Sequence, residues 1–247
     1  MAFRSFIYLD AKKVEDYLDV LGEGSTQSRK KKAIGASAML GPVKAGAGVE
    51  ADYSPNHSPS ARYNLLERKL TERLNDDFFD ATQKSCDIKT VPSMSIIKFS
   101  GYVRIPESFD KLNLIKQYIQ PLRDAGMITL EGDPATNEFA LSFFEQTSAD
   151  IPILISGNKV NLSSKLKMDN FVDSSHQDLE DLEDEELFFL CKVHSLDTNN
   201  EVTIFDPAKD FLKMNRALRR SMTETEGLEK IIEKGPILKV EIIAIYH

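Results

Sequence analysis

Four cations carry the clearest capacity for chemistry in this chain. Lys209, Lys213, Arg216 and Arg220 recur at i, i+4, i+7 and i+11 after Pro207, a spacing that places them on one side of a helix. Phe211, Met214, Leu218 and Met222 form its apolar side. The pattern predicts an amphipathic helix over 208–222 whose basic side grips the phosphates of a nucleotide or nucleic acid, more weakly as salt rises. A solvated helix face is the plainer account of the same residues. An internal partner also exists in "DLEDLEDEE", Asp178 to Glu186, which holds seven acids and no base. That run would lie against the basic side or compete with a nucleic acid for it.

A second candidate is "GASAMLGPVKAGAGVEADYSPNHSP", residues 35–59, which gathers four of the twelve glycines and three of the ten prolines. Gly41 and Gly46 have the outer spacing of a phosphate loop, but Ala47 and Gly48 stand where its Lys and Ser or Thr belong. Gly46, Gly48 and Ala51 fit a G-x-G-x-x-A dinucleotide fingerprint; the stretch from Asp52 to Pro59, however, carries Pro55 and Pro59 and no helical period. A membrane segment is excluded by its shortness and by Lys44 and Pro42 at its middle. The remaining reading is a small-residue hairpin turning at Gly41-Pro42, whose lack of bulk lets another backbone come close and leaves its register loosely held. Gly41, Gly46 and Gly48 are therefore candidate contacts to a partner.

Other chemistries find little support. His57, His176, His194 and His247 show no zinc-ligand spacing, and no G-x-S-x-G or H-E-x-x-H occurs. Cys86 and Cys191 lie far apart without C-x-x-C spacing, and both read as reduced small hydrophobes suited to a reducing cytoplasm. Asp76, Asp77 and Asp80 offer carboxylates for a cation, although acids closing a surface helix are more simply solvent-exposed. No catalytic constellation and no cofactor or metal site emerges. The net charge is -8, and setting aside the seven acids of Asp178 to Glu186 leaves -1. A near-neutral body lacks the general basic footprint of a nucleic-acid-binding protein. No stretch is long and apolar enough for a membrane span.

The elements around these residues alternate between the two periods. "FRSFIYLD" reads as a strand, with Asp10 as the N-cap of a helix whose buried side is Val14, Tyr17, Leu18 and Leu21. Further helices are expected over 60–74 and from Phe109 to Leu122, the latter after a long strand from Ser93. Three hairpins come next along the chain: "MITLEG" with "EFALSFFE", "IPILIS" with "KVNLSSKL" across a positive-φ turn at Gly157-Asn158, and "LFFLCKVHSL" with "EVTIFD" across "DTNN". A short helical turn is expected around Leu228 to Lys234. The last strand, "ILKVEIIAIY", is apolar enough to pair on both sides inside a sheet. The fold class is α+β, a mixed and mostly antiparallel sheet with hairpins and three or four amphipathic helices. A soft boundary near 85–92 separates a region 1–90 from a region 91–247.

The opening "FIYLDAKKVEDYLDVLGEG", the helix "YNLLERKLTERL", "IPILISGNKVNLSSKL" and the close "KGPILKVEIIAIYH" resemble an uncharacterised family of bacterial and phage proteins nearly end to end. The resemblance implies a cytosolic α+β protein of mobile-element or defence neighbourhoods and transfers no catalytic residue. Together these observations lead to the expectation of a non-enzymatic binding or regulatory protein without cofactors, acting through a protein partner, a small ligand or a second copy of itself. Nucleotide or nucleic-acid binding through the 208–222 helix is the alternative.

Overall fold

Asp10 shows how sequence becomes architecture at the start of the chain. The computed structural model describes residues 4–22, 58–74, 76–83, 86–125, 150–157, 160–172, 179, 181–211 and 230–247. Within them, strand β1 (Phe6–Leu9) runs into Asp10, whose carboxylate accepts the Lys13 backbone amide at 3.1 Å and so starts helix α1 (Ala11–Val20). Helix α2 (Pro59–Thr71) begins similarly, with Ser58 accepting the Ala61 amide and Pro59 in the first turn. Val14 and Leu18 of α1 meet Tyr63, Leu66 and Leu70 of α2 in one apolar cluster.

Five strands then close on themselves. β3 (Ile96–Arg104) pairs with β6 (Leu187–Asp197) over Ile96 to Gly101 and with β4 (Ile151–Ser156) over Tyr102 to Arg104, both antiparallel. β4 pairs antiparallel with β5 (Asn161–Leu166), which runs parallel to β9 (Ile237–Tyr246). β9 returns along the whole of β6, antiparallel, completing the ring β3-β4-β5-β9-β6. β3, β4 and β5 succeed one another around the wall, and β6 comes back beside β3, which is a Greek key. β1 and the short strand β2 (Phe78–Asp80) prolong the sheet along the edges of β9 and β3, so strands from both 1–90 and 91–247 share it.

The barrel is filled by its own side chains. Ile97, Ile153, Ile155, Leu162, Leu166 and Phe189 are inward and fully buried, each worth about 1.5–3 kcal/mol against exposure. Among the described residues these side chains occupy the interior, as expected for so few strands.

Among the described residues the outer wall of the barrel is covered in two places. α1 and α2 pack over Ile96, Leu190, Ile243 and Tyr246, and Glu67 of α2 fastens them by ion pairs to Arg4 at 2.5 Å and Lys98 at 3.1 Å. Further along, β7 (Glu201–Phe205) and β8 (Ile231–Lys234) form a separate two-stranded sheet whose Val202 and Ile204 sit on Leu154 and Ile237. Helix α3 (Glu107–Asp124) packs Phe109 and Leu112 against the main core.

The α+β class, the mostly antiparallel mixed sheet and the three amphipathic helices agree with expectation, as do the β4–β5 hairpin and the double-sided pairing of β9. Two expectations are corrected. β6 and β7 do not pair: "DTNN" does turn, with Asn199 donating to Asp197, but barrel closure gives both edges of β6 to β3 and β9 and sends β7 outward to β8. Residues 231–234 form strand β8 rather than a helical turn, because alternate exposure of Ile232 and Lys234 suits pairing with β7. Of the helix expected over 208–222, a helical turn at Pro207–Phe211 is described and the rest lies outside the described residues. The "MITLEG" and "EFALSFFE" hairpin and the 35–57 segment also lie outside them.

Candidate functional site

Among the described residues the outer wall between the two covers stays open, and there its outward residues change character. On β9 the outward series Ile237, Lys239, Glu241, Ile243 is apolar under each cover and charged between them. On β5, Ser163 lies in register with Lys239 and is followed outward by Lys165. These residues contribute to the floor of a groove of about 420 Å³. Lys13 of α1 lines one side; Thr203 of β7 and Lys209 and Asp210 of the following turn line another. A second hollow of about 440 Å³ adjoins it, sharing Thr203, Lys209, Asp210 and Lys239 and extending to Asp197.

Carboxylates hold the lysines in place. Lys13 lies between Asp10 and Glu241, at 3.0 and 2.9 Å. Lys165 reaches Asp210 at 2.6 Å, and Lys239 reaches Asp197 at 2.8 Å. The turn carrying Asp210 is itself fixed reciprocally: Asp206 accepts the Lys209 amide, while Asp210 accepts the Asp206 amide at 3.0 Å. Lys167 and Lys209 are exposed and make no ion pair with a carboxylate among the described residues. Five lysines thus face three lining carboxylates, Asp150, Asp210 and Glu241.

The titrations follow from these contacts. Burial opposes the charged form of Asp10, but the hydrogen bonds from Lys13, with the fields of Lys13 and Lys167, outweigh it and lower the pKa. Burial likewise opposes the Lys13 ammonium, and hydrogen bonds to Glu241 and Asp10 more than restore it, raising its pKa. Tyr17 is pushed from 10.0 to about 12 by burial and then by the Glu241 charge. The Lys239 hydrogen bond lowers Asp197. Asp10 therefore supports folding above the ordinary aspartate range of about 3.9, and this support is lost as pH falls through its depressed pKa. Tyr17 and Lys13 act oppositely: their support is complete below about 10 and is lost as pH rises through their raised values. The melting temperature should fall between pH 10 and about 12, and Tyr17→Phe should shallow that slope in circular-dichroism melts. A flat profile there, or an unchanged slope in the variant, would contradict the coupling of Tyr17 to α1 packing.

Of the residues singled out from sequence, Lys209 lines this groove, whereas Lys213, Arg216, Arg220, Gly41, Gly46 and Gly48 lie outside the described residues. Asp77 pairs with Arg73, and Asp80 closes a local turn on Thr82 and Gln83. In the acidic run, Glu183 accepts the Ile105 amide and Glu185 meets His247. Cys191 is buried in the barrel, which raises its thiol pKa, and Cys86 is half-buried. Sequence reading missed Lys13, Lys165, Lys167, Lys239 and Glu241. A signal was present: Lys239 and Glu241 are charged residues two apart in an otherwise apolar strand.

A five-stranded Greek-key barrel with this closure has the design of the OB-fold, which binds ligands on the outer face of its second and third strands, flanked by the first-to-second and fourth-to-fifth connections. The corresponding parts here are β4, β5, the β3–β4 connection with Asp150 and the β6–β9 connection with Thr203, Lys209 and Asp210. β7 and β8 cover β4, so the open face shifts toward β5 and β9. The fold and groove thus define an α+β protein on an OB-type barrel with a lysine-lined outer wall. The chain belongs to the family described as "Domain of unknown function (DUF6414)", whose model matches residues 3–246. No curated protein and no solved structure matches it significantly. Among the described residues no helix is long and apolar enough to cross a membrane.

Proposed function

We propose that the protein is a non-enzymatic binding or regulatory protein that takes a phosphate-bearing ligand into the groove between α1, β5, β9 and the 206–210 turn. One observation carries this reading: where the described residues leave the barrel wall uncovered, its outward residues become Ser163, Lys165, Lys239 and Glu241, and further lysines reach the opening from α1, from the residue after β5 and from the β7 turn. Lysine binds phosphate as a point charge, and such contacts weaken with salt. Of the basic stripe expected to bind a nucleotide or nucleic acid, Lys209 lies on this face, which supports the reading. A protein partner or second copy would read the loaded state. A bacterial cytoplasmic setting, in defence or mobile-element neighbourhoods, is part of the proposal and rests on the resemblance of the terminal motifs.

The test is equilibrium binding of the full chain to phosphorylated probes, beginning with inorganic pyrophosphate and nucleoside triphosphates. Lys165 and Lys239 are 44% and 42% exposed, so reversing both to Glu should leave the fold intact. Loss of even one charge-assisted contact should weaken binding by about tenfold or more. Saturable binding that survives the double reversal unchanged would refute the assignment of the site.

A further inference from the structure

We infer that the groove takes a single nucleoside phosphate and not a continuous nucleic-acid strand, an inference that rests on reading the groove as a phosphate site. Size is the first argument: about 420 Å³ is within the range of a pocket for one small molecule, roughly 300–1,000 Å³. The second is the arrangement of charge. Lys209 and Lys239, with the Thr203 hydroxyl, stand where the two hollows meet, together with Asp210, whose charge is met by Lys165 at 2.6 Å, and this cation-rich junction is the phosphate end. Away from it, Glu241 is 34% exposed and paired on one side by Lys13, leaving carboxylate acceptor capacity for the hydroxyl and amino groups of a nucleoside.

The same carboxylates disfavour a strand. A polynucleotide backbone laid along the groove would bring further phosphates against Asp150 and Glu241, like charges in a partly desolvated site. Single-strand binders of this barrel type also interleave cations with exposed aromatic rings on which bases stack, each worth about 1–3 kcal/mol. Among the described residues the rings lining the groove are Tyr8, 1% exposed with its hydroxyl accepting from Asn170 Nδ2 at 3.0 Å, and the exposed imidazole of His194 on β6. Tyr8 is part of the core, and His194 is one ring, enough to meet a single base and not a succession of them.

Calorimetric titration of the full chain with ribonucleoside mono- and triphosphates, the unphosphorylated nucleosides, inorganic pyrophosphate and oligothymidylates of increasing length tests this. At least one nucleotide should bind at one site per chain, with its nucleoside and pyrophosphate each weaker by about tenfold or more. Glu241→Gln should weaken the nucleotide while leaving pyrophosphate unchanged or tighter. If oligothymidylate binds with affinity that climbs with length and no nucleotide does, the inference fails and the phosphate-site reading stands. It fails in the same way if pyrophosphate matches every nucleotide. If no phosphate-bearing probe binds, the underlying reading fails with it.

Discussion

Gly101→Val should destabilise the protein by about 3 kcal/mol, the upper part of the range for overpacking, and lower its melting temperature by roughly 6–12 °C for a chain of this size. Gly101 is the residue at which β3 leaves β6 and turns to β4. A Cβ there would lie 2.5 Å from the backbone oxygen of Ser156 and 3.1 Å from the Phe99 ring. The first neighbour is backbone of the paired strand, so relief requires β3 and β4 to separate at the corner of the barrel. Ser100→Thr, one residue earlier and half-buried, should change stability by less than about 1 kcal/mol. Urea melts of the two variants provide the comparison. A Gly101→Val protein that unfolds at the wild-type denaturant midpoint would show that the corner tolerates a side chain.

This corner explains what was legible in the sequence and what was not. Asp10, the spacing of Val14 and Leu18, and the apolar run of β9 are local signals, and each produced the element it predicts. "DTNN" was also local, and it does turn. The partner of the strand before it was not local. Closing the ring requires β6 to give one edge to β3 and the other to β9, across sequence separations that no turn residue encodes. The same limit applied to the groove. Its lysines are 152 residues apart between Lys13 and Lys165, and 74 more separate Lys165 from Lys239, so no motif window could contain them. Their meeting is a consequence of the parallel pairing of β5 with β9, which sets Ser163 beside Lys239, and of α1 starting at Asp10 above the same wall. Lys209 alone stood in a stripe visible beforehand.

Gly157→Ala should cost about 2–3 kcal/mol, and a double-mutant cycle with Phe99→Ala should show that the cost belongs to packing. Sequence reading assigned Gly157 to a tight turn with positive φ, yet among the described glycines Gly22 is the one with such a backbone. At Gly157 a Cβ would stand 2.1 Å from Phe99 Cζ, and Phe99 is 3% exposed within the main core. The ring has no free side toward which to move. Phe99→Ala alone should lose about 3–5 kcal/mol through the cavity it leaves, but it removes the atom that the new methyl strikes. The double variant should therefore be more stable than the sum of the single losses predicts, by at least about 1 kcal/mol. Backbone strain at Gly157 would be indifferent to Phe99 and would leave the losses additive. The distinction reaches the groove, because the hairpin keyed by this contact carries Ser163 and Lys165. Ligand affinity lost in Gly157→Ala should return, at least in part, when Phe99→Ala lets the hairpin settle back.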